Sequence, residues 1–200
     1  NNNSVDFDYD LGKQILYDVV SNKLCNEVSD TCLQTYILDV SSKLGDTSVI
    51  LLPTLYGTYG SGVYSDYDTV LSNIVKDWKV TTRSLEIGDI LKPISKDILN
   101  SYIIREGLSN EVIGTINNNE RVESITNKVI NRDGYFTFDN LKYNYLVTNR
   151  CYWINKEYDN NNAFAFTKAD EKISKIYKSS KNETCNIIPV IIAPKANIYE

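Results

Sequence analysis

The stretch Val5-Asp6-Phe7-Asp8-Tyr9-Asp10-Leu11-Gly12-Lys13-Gln14-Ile15-Leu16-Tyr17-Asp18-Val19-Val20-Ser21-Asn22-Lys23-Leu24 decides how the chain is read. Its apolar residues form two rows, Phe7, Leu11, Ile15, Val19 and Leu16, Val20, Leu24, each stepping by four. Such rows lie side by side on a helix, so the spacing predicts an amphipathic helix with a wide apolar stripe. Asp6, Asp8 and Asp10 would then favour the positive end of its dipole. After an interruption at Cys25–Ser29, a second helix is predicted from an N-cap at Ser29 or Asp30. It runs through Leu33, Ile37, Val40 and Leu44 and ends at Gly45.

Further along, Val49–Leu52 reads as a short buried strand stopped by Pro53. Asp66–Trp78 and Ser95–Leu108 carry helical spacing, residues 118–130 a weaker version of it, and Val80–Ile87 reads as extended. The turn signal Asn131-Arg132-Asp133-Gly134 opens a different regime. Tyr135–Phe138, Tyr145–Val147, Cys151–Ile154, Ala163–Phe166 and Ile187–Ile192 read as strands, with a hairpin turn at Asp159–Asn162 and Pro189 marking an edge or a bulge. The expected fold class is therefore α+β. N-terminal amphipathic helices (residues 1–130) would pack on a mainly antiparallel sheet supplied largely by residues 131–200, as two parts or one continuous domain.

The sequence of 200 residues is 42% apolar, enough for a core. It contains no histidine. That removes Ser-His-Asp and Cys-His nucleophiles, His-ligated zinc and the commonest neutral-pH base, so the chain is expected not to be an enzyme and to hold no cofactor. Asp159-x-Asn161 opens like a calcium loop, but Phe164 and Asp170 occupy the positions where Gly and Glu are needed, so no metal is expected. Net charge is −5 with both signs interspersed; Lys168–Lys181 is the most basic segment and reads as a solvated face, so nucleic acid is not an expected partner.

Four cysteines allow three disulfide connectivities. Local pairing is expected, Cys25 with Cys32 and Cys151 with Cys185, which implies an oxidising location, extracellular or at the cell surface. The competing readings are one zinc held by all four sulfurs, for which the x6 and x33 spacings are unsuited, and four buried thiols. No run is apolar enough to span a membrane, and Met is absent even at position 1. The chain thus reads as a processed or trimmed form, with membrane contact expected only through a segment upstream of Asn1.

Tyrosine, at 15 residues, outnumbers Phe and Trp together. The Tyr/Gly segment Tyr56-Gly57-Thr58-Tyr59-Gly60-Ser61-Gly62-Val63-Tyr64 lacks the Gly-Lys-Ser/Thr ending of a phosphate loop. Its glycines would permit positive-φ turns that display tyrosines, so Tyr56, Tyr59, Tyr64 and Tyr67 form the candidate contact surface.

Two resemblances add to this. Cys151-Tyr152-Trp153-Ile154, Asn161-Asn162-Ala163-Phe164-Ala165-Phe166 and Ile187-Ile188-Pro189-Val190-Ile191-Ile192 resemble the closing strands of surface modules related to C-type lectins and formylglycine-generating enzymes, with Ile188 where those carry arginine. The resemblance implies ligand recognition on a loop-rich face. The whole layout is similar to a type IV pilin ectodomain of a low-GC Gram-positive bacterium, Phe7–Leu24 standing for the soluble half of its helix and Cys151 with Cys185 bounding its C-terminal loop. That implies an extracellular structural or adhesive protein, a pilus subunit first of all, with a non-pilus surface binding module carrying the C-type-lectin-like C-terminal part and a secreted enzyme or effector without histidine chemistry as the alternatives. It would assemble through the first helix with other pilus or surface subunits, exposing the Tyr56–Tyr67 loop and the Tyr158–Asn162 hairpin to a host-surface protein or glycan.

Overall fold

The computed structural model describes residues 12–39, 48–53, 59–91, 134–139, 150–168 and 173–199. They build two six-stranded sheets, and the α+β expectation is overturned. Sheet A takes the order β2-β1-β3-β4-β12-β6 and is antiparallel throughout. Its strands are β1 (Gln14–Asp18), β2 (Lys23–Leu24), β3 (Cys32–Asp39), β4 (Ser48–Pro53), β6 (Thr81–Arg83) and β12 (Val190–Pro194). Sheet B takes the order β5-β11-β8-β9-β10-β7, antiparallel except where β11 meets β8. Its strands are β5 (Ser61–Gly62), β7 (Tyr135–Asp139), β8 (Cys151–Glu157), β9 (Asn162–Lys168), β10 (Ile173–Ser180) and β11 (Cys185–Asn186). Among the described residues α-helix is confined to α1 (Tyr67–Ile74) and α2 (Ile87–Leu91), and no helix is long and apolar enough to cross a membrane.

The predicted first helix is, over its described part, β1, a turn and β2. A step of four is also a multiple of two, so Ile15 and Val19 share a face on a strand as they do on a helix. The residue that separates the two readings is Tyr17. It lies between them in the alternation and is fully buried with Val19 against Ile37, Val49, Leu51, Ile191 and Ala193. The turn is held by Asp18, whose Oδ1 accepts from the backbone N–H groups of Val20 and Ser21 at 2.8 and 2.9 Å. Asn22 sits in the left-handed region at φ 57° that Asn tolerates. The Tyr17 hydroxyl donates to Asn22 Oδ1 at 2.7 Å, and Asn197 Nδ2 donates to the Asn22 carbonyl at 2.6 Å, which ties the end of the chain to this turn.

The predicted second helix is strand β3 where it is described; residues 40–47 lie outside. Its Thr35-Tyr36-Ile37-Leu38 run is buried on both faces, and continuous burial of that kind hides the strand period from a sequence reading. β4 was expected as a buried strand and is one, with Val49 to Leu52 all at most 2% exposed. Pro189 was expected at an edge or bulge, yet β12 lies inside sheet A, bonded to β4 on one side and β6 on the other. The proline immediately precedes the first paired residue, Val190, so the ladder does not need its missing N–H. Over its described part the segment 168–181 is no mere solvated face: β10 crosses between β9 and β7 with Ser174 and Ile176 fully buried. The helices predicted at 95–108 and 118–130 and the strand at 145–147 lie outside the described residues.

The parts on either side of residue 130 share both sheets. β12 is inserted between β4 and β6, and β5 pairs with β11. Leu85 links the sheets: its N–H donates to the Tyr67 hydroxyl at 3.3 Å, and its carbonyl accepts from Asn155 N–H at 3.2 Å. Beside it, Arg83 makes a two-pronged pair with Asp89, 2.7 Å on each prong, and Asp89 Oδ2 also accepts from Glu86 N–H at 2.9 Å ahead of α2.

Candidate binding surface

All four cysteines are paired, Cys25–Cys32 and Cys151–Cys185, with Cα atoms 6.0 and 5.0 Å apart. The local pairing expected from the sequence is the one present, and the zinc and free-thiol alternatives are overturned. The first bridge closes the β2–β3 loop rather than a helix–helix corner. The second joins neighbouring strands β8 and β11, where Asn186 pairs with Tyr152 in parallel register. Two disulfides point to an oxidising, extracellular environment.

The expected tyrosine surface divides. Tyr56 lies outside the described residues. Tyr59 packs edge-on against Trp78 with ring centres 6.4 Å apart, and burial pushes its hydroxyl up to about 12. Tyr67 is core at 2% exposure and is pushed up to about 12, by burial first and then by the negative charges of Asp68 and Asp89, against the lowering effect of Leu85 N–H. Tyr64 is half-buried, edge-on to Trp153 at 5.4 Å, with Lys181 Nζ 5.8 Å from its ring centre. Burial raises its hydroxyl, as do the Glu157 and Asp68 charges. The glycines were expected to supply positive φ. Instead Gly60 makes room for α1, because a Cβ there would come within 2.8 Å of Val70 Cγ1 and 2.9 Å of Ile74 Cδ1.

The registers of sheet B place Tyr135, Tyr177, Ala165 and Trp153 in one lateral row across β7, β10, β9 and β8. Paired residues share a face, so all four look the same way. Over Trp153 and Ala165 the row is roofed by Tyr64, Tyr67 and the α1 side chains Val70, Leu71 and Ile74. Trp153 Nε1 donates to the Gly62 carbonyl at 2.9 Å, which satisfies the one polar atom of that ring. Toward β10 and β7 the row emerges. Tyr177 is half-buried, and Tyr135 at 48% is among the most exposed large apolar side chains described. Lys175 Nζ lies 5.7 Å from the Tyr135 ring centre and 5.5 Å from that of Tyr177, within cation–π reach of both. Burial raises the Tyr177 hydroxyl, and the Glu183 charge adds to this. The result is a shelf of two adjacent phenol rings with one ammonium on it.

At the hairpin end of the sheet, Lys178 Nζ stands 5.2 Å from the Tyr158 ring centre, and Tyr158 is edge-on to Phe164 at 5.4 Å. Lys181 pairs with Glu157 at 2.7 Å. Asp159 Oδ1 accepts from the N–H groups of Asn161 and Asn162, both at 2.8 Å, so this carboxylate holds the turn and its proton affinity is lowered, most by the Asn161 bond. The Asp159–Asn162 turn is where the sequence reading put it.

Sequence reading missed Lys175 and Tyr177. The available signal was Ile173-Ser174-Lys175-Ile176-Tyr177, in which β-branched and aromatic residues crowd a segment that its lysines make look solvated.

A spectroscopic consequence follows from the buried phenols. Tyr59, Tyr67 and Tyr152 are all pushed up to about 12 from the ordinary value of 10.0, burial being the first cause at each. Between those two pH values the unfolded chain has released these protons and the folded chain has not. Stability is therefore complete below pH 10 and falls as pH rises through the folded values. Absorbance at the phenolate band is expected to rise in two stages, the second coinciding with loss of β circular dichroism. A single reversible rise near pH 10 with the fold intact would contradict this burial.

Comparison with protein-family models, curated proteins and solved structures returns no match, so the chemistry of this surface rests on its own geometry.

Proposed function

We propose that the chain is a non-catalytic extracellular surface domain with a structural or adhesive role, and that it engages its partner through the Tyr135–Tyr177–Lys175 shelf. The shelf itself carries this reading. Two rings at paired positions on neighbouring strands offer a half-wet apolar surface, and an ammonium within cation–π reach of both adds one positive charge. That combination suits a sugar ring bearing a carboxylate, whose C–H face covers the phenols while its acid meets Lys175. The disulfides support display outside the cytosol, and the absence of histidine supports binding over acid–base catalysis.

Assembly with other surface subunits, as in a pilin-like protein, belongs to the same proposal. Its contact is sought on the sheets, because the segment from Gln14 to Leu24 is strand and turn. The test is retention of the purified chain on immobilised hyaluronate against neutral dextran. Retention on hyaluronate alone is expected, weakened about tenfold or more by Tyr135→Ala and by Lys175→Ala. Equal retention of both variants and the parent, or none on hyaluronate, would remove the shelf as a glycan site.

A further inference from the structure

Strand β10 carries a second lysine–tyrosine pair that the shelf does not use. Tyr177 and Lys178 are neighbours on that strand, and neighbours on a strand point to opposite faces of the sheet. The register agrees: Tyr177 pairs with Ala165 on the shelf side, and Lys178 pairs with Phe164 on the other. Lys178 is exposed, and its Nζ stands 5.2 Å from the ring centre of the half-buried Tyr158. That ring is braced edge-on by Phe164, itself 1% exposed. Lys181, three residues on, is held by Glu157 at 2.7 Å, whereas no ion pair takes up Lys178 among the described residues. The Asp159 carboxylate, which feels the Lys178 charge, is committed to the turn. It accepts from the N–H groups of Asn161 and Asn162 at 2.8 Å and from Asn162 Nδ2 at 3.0 Å. Asn160 and Asn161 stand exposed at the tip of the same turn.

We infer that Tyr158, Lys178 and the Asn160–Asn161 tip form a second site for an acidic glycan, on the opposite face of sheet B from the shelf, so that one domain bridges two polysaccharide strands. The class of ligand rests on the reading of the shelf; the second site rests on strand alternation and on the Lys178–Tyr158 contact. The chemistry of the shelf is repeated here. A phenol face takes the C–H side of a sugar ring, and an ammonium within cation–π reach of that phenol meets the carboxylate. The amides add what the shelf lacks, groups that both donate to and accept from sugar hydroxyls. Bivalency follows from the faces. Two sites on one face could be filled by a single strand, whereas a strand seated on the shelf leaves the opposite face to another. Once one strand is bound, the domain holds its second site at the surface of that polymer, and further strands are gathered without any new contact between protein copies.

Light scattering of long hyaluronate with added protein reads the bridging, and retention on immobilised hyaluronate reads binding alone. The parent chain is expected to raise the scattering to a maximum at an intermediate ratio, and short hyaluronate oligosaccharides to dissolve the network. Lys178→Ala alters an exposed residue, so its melting temperature should match the parent's and it should still be retained. The concentration it needs for bridging is expected to rise about tenfold or more. Tyr158→Leu, which keeps an apolar side chain against Phe164, should behave alike, and Lys175→Ala should lose bridging through the other site. Calorimetric titration with the oligosaccharide should count two sites on the parent chain and one on the Lys178→Ala chain. A parent that is retained but does not bridge, or a Lys178→Ala chain that bridges as the parent does, would overturn the second site and leave the shelf standing. A parent that is not retained at all would remove both.

Discussion

Trp153→Ala is expected to destabilise the domain by about 3–5 kcal/mol, the range for removing a large aromatic side chain from a packed interior. Trp153 is fully buried within the cluster of Tyr67, Ala163, Ala165, Cys185 and Ile187, and Tyr64 closes over it. The cost has two sources. A cavity opens between sheet B and α1, and Ala163 and Ala165, which flank it on β9, are too small to fill it. The Gly62 carbonyl also loses the indole N–H that reaches it at 2.9 Å. Because Gly62 belongs to β5, the loss is expected to spread to the segment leading into α1. Chemical denaturation should show the lower midpoint, and Trp153→Phe should recover part of it by refilling the space without the hydrogen bond. A loss within about 1 kcal/mol for the alanine variant would mean that this cluster does not hold α1 to the sheet.

The second large effect is expected from Cys151→Ser with Cys185→Ser. The bridge spans 34 residues of sequence, and loop-closure entropy then assigns it about 4 kcal/mol; the Cys25–Cys32 bridge spans 7 and is assigned about 2. The two bridges also act on different elements. Cys25–Cys32 closes a surface loop next to the two-residue strand β2. Cys151–Cys185 fixes β11, itself two residues long, between β8 and β5, and Ile187 N–H donates to the Gly60 carbonyl just beyond. The double serine variant is therefore expected to lose more in melting temperature than the Cys25→Ser, Cys32→Ser variant, with faster amide exchange at Gly60–Ile74. The opposite ranking would indicate that the longer loop is already constrained in the unfolded chain.

Some of this could be read from residue order. Both cysteine pairs were legible because each partner lies closer in sequence to the other than to the remaining two. Strands β4, β7, β8 and β9 were legible because Val49–Leu52, Tyr135–Phe138, Cys151–Ile154 and Ala163–Phe166 are short β-branched or aromatic runs bounded by turn residues. The tyrosine candidates were only partly legible. A sequence shows that Tyr64 and Tyr67 are near one another but not that α1 turns Tyr67 into the core, and the shelf joins β7 to β10 across a separation that no local pattern reports.

By itself, then, the amino-acid order determined where the Asp159–Asn162 turn falls, which sulfurs meet and that no imidazole is at hand, because these are read from residue identity and spacing along the chain. Tertiary structure alone decided that Ile15 and Tyr17 lie on a strand, with Val19 in the turn that follows it. A four-residue step satisfies both periods, and the choice is made by the partners that bury Tyr17: Ile37, Val49, Leu51 and Ile191, brought in by β3, β4 and β12. Strand pairing is non-local, so its energy becomes visible only once the sheet exists.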